Sequence, residues 1–360
     1  MKVIMVITGL RMGGAENQVC DLADKLYELG NEVTIISLLK GVEVKPKNLE
    51  IQLEELNINV YNVPRCIIKF ISRIRLLKPD VVHSHLFHAI VFSRIARLFV
   101  RIPKLISTHH GMRETTSFRR SLFKITDFLE DFSTAVSVNA AKSFARSNSK
   151  ASSRLKIVYN GIDLDRFKFS EEKRVELRTK LEIPVETKVV LAVGRLVWEK
   201  DYANLIDSFV IASEEISGLS LVIIGDGPMR EELDHYVEQL NIASRVKFLG
   251  KRTDTDELYN IADIVVSSSV REGFGLVLVE GMACERSVVA TNCGIADEFD
   301  KNLVDFVKPK RPDLLAKAMI LSLSRDTATK NSDHKRALEF VSSKFSMDNI
   351  VSDWLELYKS

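Results

Sequence analysis

A chain of 360 residues is about twice the usual single-domain length, so two domains of roughly 150 to 190 residues each are expected. Apolar residues make up 46%, enough for full cores, and four widely spaced cysteines (Cys20, Cys66, Cys284, Cys293) without a CxxC pair argue against a disulfide scaffold or a redox motif. Net charge is only +2, but residues 1–160 hold 24 Lys and Arg against 14 Asp and Glu, while the remainder holds 27 against 35. Between Arg65 and Lys124 there are 13 basic residues and two acidic ones, Asp80 and Glu114. Anionic lipid headgroups and a phosphate-bearing acceptor both fit this asymmetry, as does a solvated basic face without a partner. No aromatic-interleaved basic motif or zinc-finger spacing is present, so nucleic acid is not expected as a partner. Reduced, mostly buried cysteines favour the cytoplasm. The opening MKVIMVITGL is too short for a membrane span, lacks a signal-peptide cleavage pattern, and reads as a first strand.

In chain order, Val3 to Thr8 is an apolar strand, followed by a glycine loop (Gly9 to Gly14), a helix from Ala15 to Leu29 and a strand from Val33 to Leu38. Such a β-loop-α-β opening with short connections signals a parallel sheet. The loop could cradle phosphate, but Gly14 is followed by Ala15 rather than Lys-Ser/Thr, the GxGxxG spacing is absent, and the second strand ends without an acid for a dinucleotide ribose. A P-loop and an NAD site are thereby disfavoured. Arg65 to Lys78 alternates Ile67, Ile68, Ile71, Ile74 and Leu77 with five bases. That pattern fits equally a helix on a membrane surface and a helix covering the sheet.

Strand Val81 to His85, helix Phe87 to Leu98 and strand Leu105 to Thr108 lead to His109-His110-Gly111. Five histidines cluster here (His83, His85, His88, His109, His110), yet no carboxylate lies close in sequence, and a metal site is not expected. Both segments end parallel strands, where doubly wound sheets bind ligands. Strand Ala135 to Val138, helix Ala140 to Arg146 and strand Leu155 to Val158 complete the first domain, and Tyr159-Asn160-Gly161-Ile162-Asp163 is a turn.

The second domain begins with strand Val189 to Val193 and the loop Gly194 to Asp201, in which Arg195 and Lys200 flank the entry to a helix from Tyr202 to Ile211. Fixed cations at such a place offset the charge of a diphosphate. Leu219 to Ile224 and Val246 to Leu249 are further strands, the second followed by Gly250-Lys251-Arg252. After strand Ile264 to Ser268 comes REGFGLVLVEGMACER, Arg271 to Arg286, a short loop entering a helix near Gly275. Glu272 stands at the mouth of that helix and Glu280 lies about 12 Å further along its axis. Between them, the amides of Gly275, Leu276 and Val277 with the positive end of the helix dipole suit a diphosphate. Hydroxyls at each carboxylate and a diphosphate between them is the layout of a nucleotide sugar. Strand Ser287 to Thr291, helices Pro312 to Leu323 and Asp333 to Val341, and an amphipathic terminal helix with Ile350, Trp354, Leu357 and Tyr358 complete the chain.

Glu272-x7-Glu280 resembles the Glu-x7-Glu motif of the family 4 retaining glycosyltransferases, which have two Rossmann-like domains with parallel sheets facing a central cleft, the GT-B fold. The resemblance implies that Glu272 and His110 (from Thr108-His109-His110-Gly111) orient the transferred sugar and that Glu280 binds the nucleotide ribose. It further implies that Arg195, Lys200, Gly275 and Leu276 hold the diphosphate, that Gly13 and Gly14 face the donor, and that Lys251 and Arg252 line the base pocket. Where the family has Gly-Gly-x-x-Glu, this chain has Gly294-Ile295-Ala296-Asp297-Glu298: the acid is kept and one glycine is lost. The implied domains are residues 1–162, with a terminal helix 346–360 packing back on the first, and residues 163–345 as the nucleotide-sugar-binding domain. The implied activity is retaining transfer of a hexose or N-acetylhexosamine to a saccharide acceptor, lipid-linked in surface-polysaccharide assembly, at the inner face of a bacterial membrane, with neither metal nor other cofactor. An epimerase or hydrolase on the same fold would need extra carboxylates and no acceptor; a non-catalytic sugar-nucleotide-binding partner would be marked by lost motif residues.

Overall fold

The computed structural model describes residues 1–59, 61–111, 116–147, 154–300 and 302–360; Glu114 lies outside them. The chain divides into two compact units, Met1–Gly161 with Met347–Ser360, and Ile162–Ser346.

The first unit runs β1 (Lys2–Ile7), α1 (Gly14–Glu28), β2 (Glu32–Ser37), β3 (Gln52–Glu55), α2 (Val63–Leu77), β4 (Val81–His85), α3 (Phe87–Ala96), β5 (Lys104–His109), α4 (Ser117–Thr126), β6 (Phe132–Ala135), α5 (Val138–Ser147) and β7 (Leu155–Ile157). Its seven strands are ordered β3-β2-β1-β4-β5-β6-β7 and pair in parallel throughout. Residues of β1, β2, β4 and β5 are buried on both faces; β1 accordingly reads as an unbroken apolar run, whereas β4 and β5 bury polar residues toward their carboxyl ends, His83, Ser84 and His85 in one and Ser107, Thr108 and His109 in the other.

The second unit runs α6 (Glu171–Lys180), β8 (Lys188–Val193), α7 (Tyr202–Glu215), β9 (Leu219–Ile224), α8 (Arg230–Gln239), β10 (Val246–Gly250), α9 (Thr255–Leu258), β11 (Ile264–Ser267), α10 (Leu276–Ala283), β12 (Ser287–Thr291), β13 (Asp305–Val307), α11 (Pro312–Ser324) and α12 (Thr327–Phe345). Its six parallel strands are ordered β10-β9-β8-β11-β12-β13. In each sheet the order reverses once, between β1 and β4 and between β8 and β11. These switch points are where doubly wound sheets open a ligand site at the carboxyl ends of their strands.

The terminal helix α13 (Met347–Lys359) returns to the first unit, burying Ile350, Val351, Trp354, Leu357 and Tyr358 in the same core as Val19, Cys20 and Leu22 of α1. Among the described residues, no helix is long and apolar enough to cross a membrane. All four cysteines are free, and three of them are buried.

Several sequence expectations shift. The strand expected at Ala135–Val138 lies three residues earlier, as β6; polar Ser133 and Thr134 concealed it, yet both are fully inside the sheet. Helix α12 is ten residues longer than expected, beginning at an Asp326 side-chain cap on the Thr329 amide. Helices α4 and α6 and strand β3 were not expected; α6 is so polar that only Leu177 and Arg178 are buried. The basic helix near residues 65–78 resolves to the sheet-covering alternative, since α2 buries Cys66, Phe70, Ile71 and Ile74.

Candidate functional site

In the second unit the switch point carries two neighbouring loops, one after β8 and one after β11. Two bonds stitch them together: the Val270 amide donates to the Glu199 carbonyl at 2.9 Å, and the Ser268 hydroxyl donates to the Lys200 carbonyl at 2.7 Å. Within this frame the Lys200 ammonium forms a half-buried ion pair with Glu272, and the Ser269 hydroxyl donates to the same carboxylate oxygen at 2.7 Å. Tyr202, 3% exposed, donates its hydroxyl to the Gly194 carbonyl at 2.9 Å. Burial, and after it the Glu272 charge, pushes that phenol far up, so it stays a donor. Arg195 is exposed on the first loop.

Helix α10 starts at Gly275, whose φ of +103° is the left-handed region open chiefly to glycine. No side chain caps this end, so the first-turn amides face out from the sheet's carboxyl edge beside Glu272. Gly294 fixes the loop from behind. At φ +61°, a Cβ there would lie 2.3 Å from the Phe274 carbonyl oxygen and 2.9 Å from Glu272 Cβ. The Ile295 amide donates to the Phe274 carbonyl at 2.9 Å. The missing second glycine is accommodated because Ile295 has φ −89° and is fully buried. Cys293, beside this loop, donates to the Ser269 carbonyl, and burial followed by the Glu272 charge pushes its thiol up to about 12.

Glu280 is one turn deeper in α10 and accepts a 2.5 Å hydrogen bond from Tyr259, a fully buried residue packed edge-on to Phe167. Burial raises the Tyr259 phenol well above its ordinary value, the Glu280 charge adding to it. One carboxylate oxygen is therefore held from inside, in a half-buried residue. Of the pair after β10, Lys251 is exposed and Arg252 is gripped by both oxygens of Asp254, which leaves less of its charge for a ligand than the sequence suggests.

The first unit's switch point is built from imidazoles. His83 and His85 lie on one face of β4, 0% and 2% exposed, with ring centroids 4.0 Å apart. His83 Nδ1 is 2.7 Å from the Tyr358 hydroxyl and its Nε2 is 2.6 Å from Thr108 Oγ1, which in turn meets Thr134 Oγ1 at 2.8 Å. His85 Nδ1 is 2.9 Å from Nε2 of half-buried His110, at the end of β5. His109 faces away, stacked on Phe144 at 4.0 Å. Burial holds all four imidazoles neutral, pushing His109 down to about 3 and His110 to about 4. A small cavity of about 20 Å³ borders His85, His110, Thr108, Gln18, Asn160 and Trp354. Gly13 caps α1 with extended backbone, and a Cβ there would meet the Glu16 carboxylate at 2.5 Å. Among the described residues no group of three or more His, Cys, Asp or Glu is arranged to hold a metal ion.

The structure thus brings Lys200, Glu272, Gly275 and Leu276 into one corner of the second sheet, with Glu280 deeper in the same helix. It places His110 and the Gly13-Gly14 loop at the carboxyl edge of the first. Sequence reasoning missed Tyr259, Ser269 and the His85–His110 pair. Only the last left a signal, two histidines at alternate positions of a strand that also ends at a ligand edge.

Residues 12–166 match the model for Glycosyltransferase Family 4 and residues 173–337 the model for Glycosyl transferases group 1. An uncharacterized glycosyltransferase of Methanocaldococcus jannaschii is 28% identical over 97% of this chain and 94% of its own. The UDP-Gal:α-D-GlcNAc-diphosphoundecaprenol α-1,3-galactosyltransferase of Escherichia coli is 26% identical over 69% of this chain and 68% of its own. In fold, the Anabaena protein HepE in complex with UDP and glucose superposes with a TM-score of 0.89 at 22% identity, covering 100% of this chain and 99% of that one.

Proposed function

The chain is a glycosyltransferase, a Glycosyltransferase Family 4 domain followed by a Glycosyl transferases group 1 domain, and on that premise we propose that it transfers a hexose or N-acetylhexosamine from a nucleotide sugar, with retention, to a saccharide acceptor. The observation that carries this reading is the corner at β8 and β11: a carboxylate fixed by Lys200 and Ser269, free-standing first-turn amides of α10, and a second carboxylate anchored by Tyr259. In this reading Glu272 receives sugar hydroxyls. The amides of Gly275 and Leu276, with Arg195 and Lys200, receive the diphosphate and offset the charge that grows as the nucleoside diphosphate departs. Glu280 receives the ribose, and Lys251 and Arg252 border the base. His110 contributes a polar contact to the sugar, and the Gly13-Gly14 loop leaves room for the donor. No side chain of the corner is an evident nucleophile, and the resemblance to the retaining family implies that the departing phosphate oxygen takes the acceptor's proton on the same face. The reading requires neither metal nor another cofactor.

A lipid-linked acceptor at an anionic membrane surface is the favoured acceptor class. Helix α4 turns Arg120 and Lys124 to solvent together with Phe118, 74% exposed, and Ile125, 68% exposed, and Phe128 just beyond it is also 68% exposed. Cations beside large apolar side chains suit an interface between headgroups and acyl chains. The E. coli relative acts on a diphosphoundecaprenol-linked sugar. Co-sedimentation with anionic vesicles should fall when Phe118 and Ile125 are replaced by serine; equal partitioning would remove this face from the account.

Incubation with UDP-, GDP- and ADP-sugars and a set of saccharide and lipid-linked acceptors, followed by proton NMR of the product, tests the activity. A new glycosidic bond with the donor's own anomeric configuration is the expected result. An inverted product contradicts the retaining mechanism, and sugar release or epimerisation without an acceptor would transfer the site to the isomerase or hydrolase class.

A further inference from the structure

The first sheet has a second concave place, at the amino ends of its strands, and nothing in the transfer reaction uses it. A groove of about 630 Å³ lies where β5 and β6 begin, bordered by Lys104, Phe128, Leu129, Phe132 and Arg154. That volume is within the range of small-molecule sites. Five residue steps separate Lys104 from His109 at the other end of β5, about 17 Å, so the groove is remote from the edge that carries His110. Strand register assembles its cations: Phe132 lies beside Ile106 and Lys156 beside Thr134, which puts Lys104, Phe132 and Lys156 on one face of three neighbouring strands.

Charge decides what such a groove can hold. Both carboxylates beside it are already matched within the fold. Asp131 is paired with Arg97 at 2.9 Å and accepts from the Leu105 amide at 2.7 Å. Glu130, 3% exposed, turns its carboxylate inward to Arg94 and the Ser133 hydroxyl. Its backbone carbonyl accepts from Arg154 at 2.9 Å, which holds that guanidinium at the groove wall. The cations have no such match: Lys104, Lys156 and Arg154 form no ion pair among the described residues. Both ammoniums lie over the Phe132 ring, 5.1 and 4.7 Å from its centroid. A ring face attracts each of them, but it does not relieve their mutual repulsion. An anion between them does, and a phosphate brings two charges and several acceptor oxygens where a single carboxylate brings one charge.

We propose that this groove is a second anion site, which takes a phosphate monoester or diphosphate at Lys104, Lys156 and Arg154, at the end of the first sheet opposite to His110. Two sources offer that chemistry, the headgroup of a membrane lipid and a soluble phosphate ester. Phe128, 68% exposed on the groove wall, adds apolar contact for the first source alone. The site does not depend on the donor corner or on the acceptor class proposed above.

NMR of the full chain, read at assigned amide and ring signals, tests the site in three separate titrations: sodium pyrophosphate, glycerol phosphate, and dihexanoyl phosphatidylglycerol kept below its micelle concentration. Signals of Lys104, Phe132 and Lys156 should move together, and binding should weaken as salt is raised. Replacing both lysines, Lys104→Gln with Lys156→Gln, should weaken binding here about tenfold or more, while Gly275 and Leu276 respond as in the wild type. Neither lysine carries an ion pair, so the fold should survive, and unchanged amide signals in β1 and β4 check that it does. Equal affinity for glycerol phosphate and the lipid assigns the site to a soluble phosphate ester; a lipid bound about tenfold more tightly assigns it to a headgroup with its chains against Phe128. The proposal is overturned if none of the three probes moves these signals, if the only shifts are at Gly275 and Leu276, or if the double variant binds as tightly as the wild type.

Discussion

The two sheets reverse their strand order in the same way, yet they furnish the two switch points with opposite chemistry. After β8 and β11 the side chains are ionic: Lys200 on Glu272, with Glu280 one turn deeper. After β4 and β5 they are imidazoles held neutral by burial. A half-buried carboxylate beside a cation and a hydroxyl can exchange a protein partner for a sugar hydroxyl. Neutral rings stacked inside a sheet cannot take part in that exchange; they fix geometry through the direction of their protons. One edge presents fixed charges and helix amides, the other neutral imidazoles.

Substitution at the ionic edge should have the largest effect. Glu272→Gln preserves shape but removes the charge facing Lys200, and transfer should fall by about 10²–10³ in kcat, the usual cost of deleting one preorganised electrostatic contact. Near-normal turnover would place the sugar elsewhere.

The neutral edge should reveal itself in acid. The unfolded chain takes up protons on its histidines below about pH 6.5, whereas in the fold His110 refuses a proton until about 4 and His109 until about 3. Above pH 6.5 neither state holds the proton, so this contribution is flat. Below it, stability falls with falling pH, by up to about 1.4 kcal/mol per pH unit for each such imidazole. Thermal melts of the first unit's signals between pH 7.5 and 5 should drop steeply, and His109→Phe should flatten the slope; a pH-independent melting temperature over that range would show that the imidazoles are not held neutral.

Gly294→Ala tests how the ionic edge is braced. Left-handed backbone and a Cβ 2.3 Å from the Phe274 carbonyl oxygen should cost about 1–3 kcal/mol in chemical denaturation. Gly41→Ala, at φ +98° with open space around it, provides the strain-only control and should cost less. Equal costs would mean that the Glu272 loop yields freely. The smallest expected effect belongs to Tyr259→Phe, which leaves the Glu280 carboxylate without its internal donor: about 1 kcal/mol in stability and a few-fold rise in the donor KM. An unchanged KM would detach Glu280 from the ribose.

The strands from Val3 to Ile7 and from Leu221 to Ile224 were legible as continuous apolar runs, the pattern of strands covered on both faces. Glu272 and Glu280 were legible as a pair because they bracket the start of one helix, Glu272 in the loop before α10 and Glu280 within it. What escaped has partners distant in sequence: Tyr259 is 21 residues from Glu280, and His85 is 25 from His110. Helix α4 was missed although Phe118, Leu122 and Ile125 recur at i, i+4 and i+7 on one side, and Phe118 and Ile125 of that side stay exposed.

In the proposed function, the corner of Lys200, Glu272, Gly275 and Glu280 holds a nucleotide sugar. Ligand-observed NMR across UDP-, GDP- and ADP-sugars, comparing wild type with Glu280→Ala, tests it most directly. One preferred donor, bound by the wild type and weakened in the variant, is the predicted result. Binding of none of these donors, or equal binding by both proteins, would contradict the assignment.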